Sequence, residues 1–282
     1  MEQAMPLVPD FLAGRTPPDL YHAYLSPAFE RWAVDMLGIL KPNGRVLDIA
    51  CGTGVVSRLA AKDQTVDLVE AIDVAPPMID KAVSLGGGVG DCINYSVASA
   101  IELPFEDECF ATAYCQQGLQ FFPDRPKALH EARRVLQPGG KAAFATWCYA
   151  RDGNPVFEAF EQIIADALGS DLVPFGPFAF GEREVIEELA DEAGFRIELL
   201  EKRTLNSPLP DIRTFVLFDV SFLGRPAADG TLQPIMDFED PANDAVIEDM
   251  ISRLAESTAQ FVQEDGTLLA PMTSHLLVVA RD

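Results

Sequence analysis

One stretch concentrates residues able to do chemistry: Val46-Leu47-Asp48-Ile49-Ala50-Cys51-Gly52-Thr53-Gly54. An apolar, strand-like run feeds a Gly-x-Gly turn that opens a helix. Glycine lets backbone approach a ligand without a Cβ and tolerates positive φ, so such a turn aims N–H groups and a helix N-terminus into the crevice at a strand's carboxyl end. A dinucleotide fingerprint wants Gly or Ala three residues past Gly54, and Ser57 stands there instead. Asp48, just before the loop, would repel a pyrophosphate and suits a cationic ligand. A second carboxylate, Asp73, closes the run VEAID, where it can accept from both hydroxyls of a ribose or cap the helix that starts at Pro76. A nucleoside carrying positive charge satisfies both carboxylates. S-adenosylmethionine, with its ammonium and sulfonium, has that chemistry.

The surrounding pattern must hold these residues in place. From Arg45 to Trp147 short β-branched runs alternate with helical stretches, which predicts a parallel sheet wrapped by helices. Strands are expected at Arg45–Ala50, Val66–Ile72, about Asn94–Ala98, Phe110–Cys115 and Lys141–Trp147. Between them come helices from Gly54–Ala61, from Pro76 to the glycines Gly86-Gly87-Gly88, and over Pro126–Leu136. Gln137-Pro138-Gly139-Gly140 reads as a tight turn. A helix at Pro155–Leu168, another at Glu182–Ala193 stopped by Gly194, a strand at Phe195–Arg203 and an apolar closing strand at Ser274–Ala280 complete the expected α/β fold. It has seven strands, mostly parallel with the last antiparallel, and helices on both faces. The expected organisation is a helical leader over 1–44, a ligand-binding core over 45–148, a lid insertion over 149–181, a core helix and strand over 182–204, a mostly helical insertion over 205–272 and the closing strand over 273–282.

Composition narrows the function classes. The 282 residues carry 21 Lys+Arg against 44 Asp+Glu, a net charge of −23. Such a surface repels nucleic acid and anionic headgroups. No apolar run is long enough to span a bilayer and the first residues lack a signal-peptide pattern, so a cytoplasmic location and no membrane partner are expected. Five scattered cysteines without a CxxC pair fit reduced thiols, and three histidines are too few for a His-rich metal site, so no metal is expected.

Four segments in order, VLDIACGTG, DVAPPMIDKA, IELPFEDECF and LHEARRVLQPGG, together resemble the class I methyltransferases of the small-molecule "methyltransferase domain 11" kind, over about Tyr21 to Trp147. The stretch Cys115–Asp124 is also similar to a bacterial subgroup of that family. The resemblance implies S-adenosylmethionine as methyl donor and S-adenosylhomocysteine as product. It assigns the methionine moiety to Ala50, Cys51, Gly52, Thr53 and Gly54, the ribose to Asp73 and the adenine flanks to Val74 and Met78. Ser99 and Ala100 stand where relatives often have Asp-Ala, so the acid for the adenine amine is missing. Gln116 and Gln117 fall beside the reacting methyl. Gln120 and Phe121 occupy positions where many relatives carry histidines, which removes the usual general base.

In the leader, Tyr21 and Tyr24 fall where related enzymes fold an aromatic arm over the cofactor, and His22 is the histidine best placed for proton removal. Phe175, Phe178 and Phe180, with Phe215, Phe218 and Phe222, are candidates for an apolar acceptor pocket, against their use as core. Glu131 and Arg134 read as a surface pair. His130 and His275 read as structural. The expected partner is a small, apolar or aromatic acceptor. A non-catalytic module binding S-adenosylmethionine or its product, and a nucleotide-dependent oxidoreductase, are the competing classes.

Overall fold

Alternation along the central strands decides the layering. In the computed structural model, which describes residues 15–86, 92–169, 176–222, 224–226, 232–237 and 240–282, Val46 packs into one hydrophobic cluster and its neighbour Leu47 into another. Successive side chains of a strand leave opposite faces, so both sides of the sheet are buried. One face takes Met36, Val56 and Tyr114; the other takes Ile72, Cys115 and Leu129.

The chain begins with α1 (Pro17–Tyr24) and α2 (Ser26–Ile39), then β1 (Gly44–Ile49), α3 (Val55–Ala60), β2 (Val66–Asp73), α4 (Pro76–Leu85), β3 (Ile93–Val97), β4 (Phe110–Gln116), α5 (Arg125–Val135) and β5 (Leu136–Trp147). There follow α6 (Pro155–Leu168), α7 (Arg183–Glu192), β6 (Arg196–Leu209), α8 (Ile212–Phe222), β7 (Gly224–Pro226), β8 (Leu232–Pro234), α9 (Asp244–Thr258) and β9 (Leu268–Ala280). The sheet runs β3-β2-β1-β4-β5-β9-β6, while β7 and β8 form a separate hairpin. β9 is antiparallel to both β5 and β6; the other sheet pairings are parallel. Strand order reverses beside β1, and in open α/β sheets such a reversal opens a crevice at the strands' carboxyl ends.

The fold thus has the seven strands and antiparallel closure expected, with differences of physical interest. The leader is two helices rather than one. Thr16 and Asp19 form a reciprocal capping box that starts α1, and Pro17 occupies its first turn. Residues 1–14 lie outside the described set, as do most of the expected Gly86-Gly87-Gly88 stop, Phe175 and parts of the 205–272 insertion. Gln137–Gly140 is no tight turn: it lies inside β5 as an irregularity where pairing with β4 shifts register. The expected boundaries at 204/205 and 272/273 fall inside long strands, because β6 and β9 stay paired from Arg196↔Ala280 through Leu209↔Leu268. Their far ends join α6, α8 and α9 around a third core containing Trp32, Trp147, Phe160, Phe215 and Met250. No described helix is long and apolar enough to cross a membrane.

Candidate functional site

The end of β1 is bent into a cradle. Ala50 (φ 57°) and Gly52 (φ 54°) both take the left-handed conformation, and the Cys51 N–H donates to the Ile72 carbonyl at 2.9 Å. Asp73, the last residue of β2, accepts from the Gly52 N–H through Oδ2 and from the Ala75 N–H through Oδ1, each at 2.9 Å. One carboxylate therefore holds both the glycine loop and the start of α4, and each oxygen keeps a lone pair for a ligand. A Cβ built on Gly52 would lie 3.6 Å from the Tyr21 hydroxyl, filling the gap between loop and leader.

This cradle opens into a cavity of about 330 Å³, within the size range of small-molecule sites. Its walls bring together Tyr21, Ala50, Gly52 and Asp73 with Val74 and Met78, with Ser99 and Ala100, and with Gln116 and Gln117. Ser99 turns its hydroxyl to its own loop, accepting from the Ile101 N–H at 3.4 Å. Ile101, beside it, lines the cavity and carried no sequence signal of its own. The loop after Ser99 is tied down by α5. Glu131 accepts from the Leu103 N–H at 2.8 Å, and Arg134 donates to the Leu103 and Phe105 carbonyls and to Asp107. Glu131 and Arg134 are thus a clasp on the loop that follows Ser99, more than a surface pair. The Arg134 hydrogen bond holds the Glu131 carboxyl below its ordinary range.

Asp48 sits one layer deeper. It is 1% exposed, accepts a short hydrogen bond from Ser57, and borders a small second cavity with Tyr21, Cys51, Thr53 and Gln116. Burial pushes its carboxyl up to about 7 in spite of the Ser57 bond. Ser57, read from the sequence only as the residue that spoils a dinucleotide motif, is what anchors this carboxylate to α3. Gly54 lines neither cavity. Its φ is 79°, and a Cβ there would meet the Tyr95 hydroxyl at 2.5 Å, so this glycine serves helix-to-strand packing.

Several expectations are corrected. His22 is absent from both cavities; it faces a separate one of about 230 Å³ with Glu30, Arg58 and Lys62. Its Nδ1 lies 3.0 Å from Ser26 Oγ and 3.3 Å from Thr53 Oγ1. Burial lowers the pKa of His22, and the ring braces the leader against the loop. Tyr24 packs edge-on against Phe218, ring centroids 6.1 Å apart, instead of covering the cradle. Tyr21 does cover it, stacked on Phe29 at 5.5 Å. Phe178, Phe215 and Phe218 are core: Phe178 packs on Trp147 and Phe157, and Phe215 on Phe157 and Phe160. Phe180 lies under the Arg125 guanidinium. Phe175 and the Phe222 side chain lie outside the described residues. The aromatic lining of the large cavity comes instead from Phe121 and Phe122, which with Pro123 follow β4, and from Tyr21.

Gln116 donates through Nε2 to the Phe29 carbonyl at 2.9 Å, and Gln117 to Ser274 Oγ at 3.2 Å. Gln120 is buried and does not line the large cavity. His130 bonds the Pro126 carbonyl and His275 the Gly181 carbonyl, both within the fold. Among the described residues no group of three His, Cys, Asp or Glu is placed to hold a metal ion.

Comparison with known proteins adds to this geometry. The methyltransferase domain family model matches residues 47–144, from mid-β1 to mid-β5. The chain is 34% identical over 155 residues to the O-methyltransferase resE of Aspergillus sclerotiorum, covering 54% of each chain. It is 30% identical over 174 residues to the 2-phytyl-1,4-naphtoquinone methyltransferase of Nostoc punctiforme, covering 56% of this chain and 74% of that one. Against the first of these and several other curated relatives, the match spans about half of the relative's length. A putative methyltransferase from Bacillus halodurans superposes with a TM-score of 0.55 at 21% identity, over 88% of this chain and 98% of that one. The matched span contains the β1 loop and Asp73 of the cradle, and the chain belongs to the methyltransferase domain family.

Proposed function

We propose that this chain is an S-adenosylmethionine-dependent methyltransferase of the cytoplasm, acting on a small acceptor with an apolar body by direct in-line transfer. No nucleic-acid or membrane partner belongs to this reading. The observation that carries it is a single cavity. Its lining combines the glycine cradle and Asp73 with Val74, Met78 and Ser99–Ile101, and with the apolar Phe121, Phe122 and Pro123.

The residues present fit the donor. Asp73 retains one lone pair per oxygen for two ribose hydroxyls. Asp48 and Gln116 supply a carboxylate and an amide oxygen beside the cradle, where positive charge would be held. When bound, S-adenosylmethionine supplies an already activated methyl on a sulfonium, transferable in one displacement. The protein's contribution is alignment and exclusion of water. Tyr21 closes the cradle from the leader, and its ring can favour a nearby cation. Phe121, Phe122 and Pro123 would hold the acceptor's body. Asp73 and Tyr21 are the ionisable side chains on the large cavity's wall, and burial raises the Tyr21 hydroxyl's pKa. Neither suits a general base for the acceptor, so acceptors that shed a proton readily to water fit best.

Calorimetric titration with S-adenosylmethionine and S-adenosylhomocysteine tests the reading. One-site binding of both, with none of NAD or NADP, is the expected result. An empty cradle at millimolar donor, or preference for the dinucleotide, would overturn it. A turnover assay across phenols, amines and thiols then separates an enzyme from a module that only binds.

A further inference from the structure

The helix that brings Tyr21 over the cradle is tied to the core toward both of its ends. In the last turn of α1, His22 Nδ1 lies 3.3 Å from Thr53 Oγ1, on the glycine loop. In the first turn, Asp19 Oδ1 accepts from Lys81 Nζ of α4 at 2.7 Å. Tyr21 stands between these two ties and lines the large cavity. Met78 lines it too, three residues before Lys81 and so one turn away on α4. The Lys81–Asp19 pair therefore joins two helices that each put a side chain into the wall of the same cavity.

Asp19 divides its carboxylate between two tasks. Oδ2 accepts from the Thr16 N–H at 3.0 Å and from the Thr16 hydroxyl at 2.6 Å, within the capping box that starts α1. Oδ1 is left for Lys81. The Lys81 hydrogen bond, ahead of those from Thr16, holds the Asp19 carboxyl below its ordinary range. Replacing Lys81 thus spares the cap, and α1 keeps its helical start while losing its hold on α4. The pair is partly solvated, with 24% of the Lys81 side chain and 36% of the Asp19 side chain exposed. Such a pair adds little to global stability. A small free energy does matter for how long a cover stays shut over a ligand.

We infer that Lys81 is a positioning residue for the methyl donor: by gripping Asp19 it holds α1 to α4 and keeps the Tyr21 ring over a nucleoside seated in the cradle. Lys81 is not part of the cavity lining, so it acts through Tyr21 and not by touching the ligand. When the pair opens, Tyr21 loses one of its two flanking ties, and the seated ligand leaves more readily. This rests on the methyltransferase reading above, because it takes the occupant of the cavity to be the donor or its product.

The test is stopped-flow binding of S-adenosylhomocysteine to the full chain. This product lacks the sulfonium charge, so removing a lysine charge does not by itself change its attraction to the protein. Lys81→Met should raise its dissociation rate about two- to fivefold, the range that a partly exposed ion pair commands. Lys81→Arg, which keeps the charge and a donor, should keep the rate close to that of the wild type. Tyr21→Ala should also speed release, and adding Lys81→Met to it should change the rate no further, because both act through one contact. A merely structural loosening of α1 would instead add to the Tyr21 effect. Lys81→Gln is the second variant should Lys81→Met fail to fold by circular dichroism, and it should speed release in the same range. Release unchanged in the folded Lys81 variants, a Lys81→Arg rate as fast as that of Lys81→Met, or equal acceleration with and without the Tyr21 ring overturns the inference. Failure of S-adenosylhomocysteine to bind the wild type at millimolar concentration overturns the methyltransferase reading instead, so the two failures are distinguishable.

Discussion

Asp73 and Asp48 are both acidic strand ends, yet their surroundings give them different work. Asp73 holds two backbone N–H groups and lines the large cavity, so under the proposed reading Asp73→Ala would remove a ribose contact and loosen the cradle together. We expect a loss of about 1–3 kcal/mol in cofactor affinity by calorimetry, with the fold intact by circular dichroism. Asp73→Asn should lose less, because the amide can keep one acceptor. Asp48 predicts a pH effect. Its folded pKa, about 7, lies above the value of 3.8 for an unperturbed carboxyl, so the native state binds more protons between those pH values. Its contribution to stability therefore falls as pH rises through that window, by at most about 1.4 kcal/mol per pH unit, and levels off above it. Chemical denaturation from pH 4 to pH 8, wild type against Asp48→Asn, isolates this slope from the other carboxylates. A bound cation favours the ionised form, so S-adenosylmethionine affinity should rise toward neutral pH in the wild type and stay flatter in the variant. A variant with the same slope as the wild type would mean that Asp48 titrates as an ordinary surface acid.

Elements carried most of what could be read in advance. The first five strands and their crossover helices announce themselves because each apolar run is bounded by Gly or Pro and each helix keeps one apolar stripe. The long extensions of β6 and β9 do not. Their segments contain Asn206, Ser207, Pro208 and Pro271, which locally read as breakers, and pairing with each other plus packing on Trp32 overrides that. Site residues followed the same division. Asp73, Val74, Met78 and the glutamines follow strand ends and land on the cavity, since topology dictates where strand ends go. His22 and the phenylalanines lie on helices and insertions, where sequence does not say which neighbour a face will meet. The Glu131–Arg134 clasp was equally hidden, since helix spacing shows the pair but not the loop it grips. Arg134→Ala should therefore release the loop over residues 101–108 at a cost of about 1.5–3 kcal/mol, the range for hydrogen bonds to a charged group. Hydrogen exchange should accelerate at the Leu103 amide, whose partner Glu131 loses its anchor. Protection unchanged there would show that the loop holds itself.

At the scale of the whole molecule, the net charge of −23 sets a field that single ion pairs do not cancel. Most of the described salt bridges involve at least one side chain that is a third or more exposed, and such pairs contribute little each. Self-repulsion among the excess carboxylates outweighs these pairs at low ionic strength, and salt screens it within a Debye length of about 10 Å at 0.1 M. Thermal stability should then rise as NaCl goes from about 10 mM to a few hundred millimolar, where that screening acts. The same field bears on ligands. A cationic donor is drawn to the protein and an anionic acceptor is slowed, so the donor's association rate should fall with added salt while stability climbs. Stopped-flow binding and differential scanning calorimetry in one salt series separate the two. A melting temperature that drops with salt would mean that the attractive pairs, and not the uncompensated acids, dominate the electrostatic free energy.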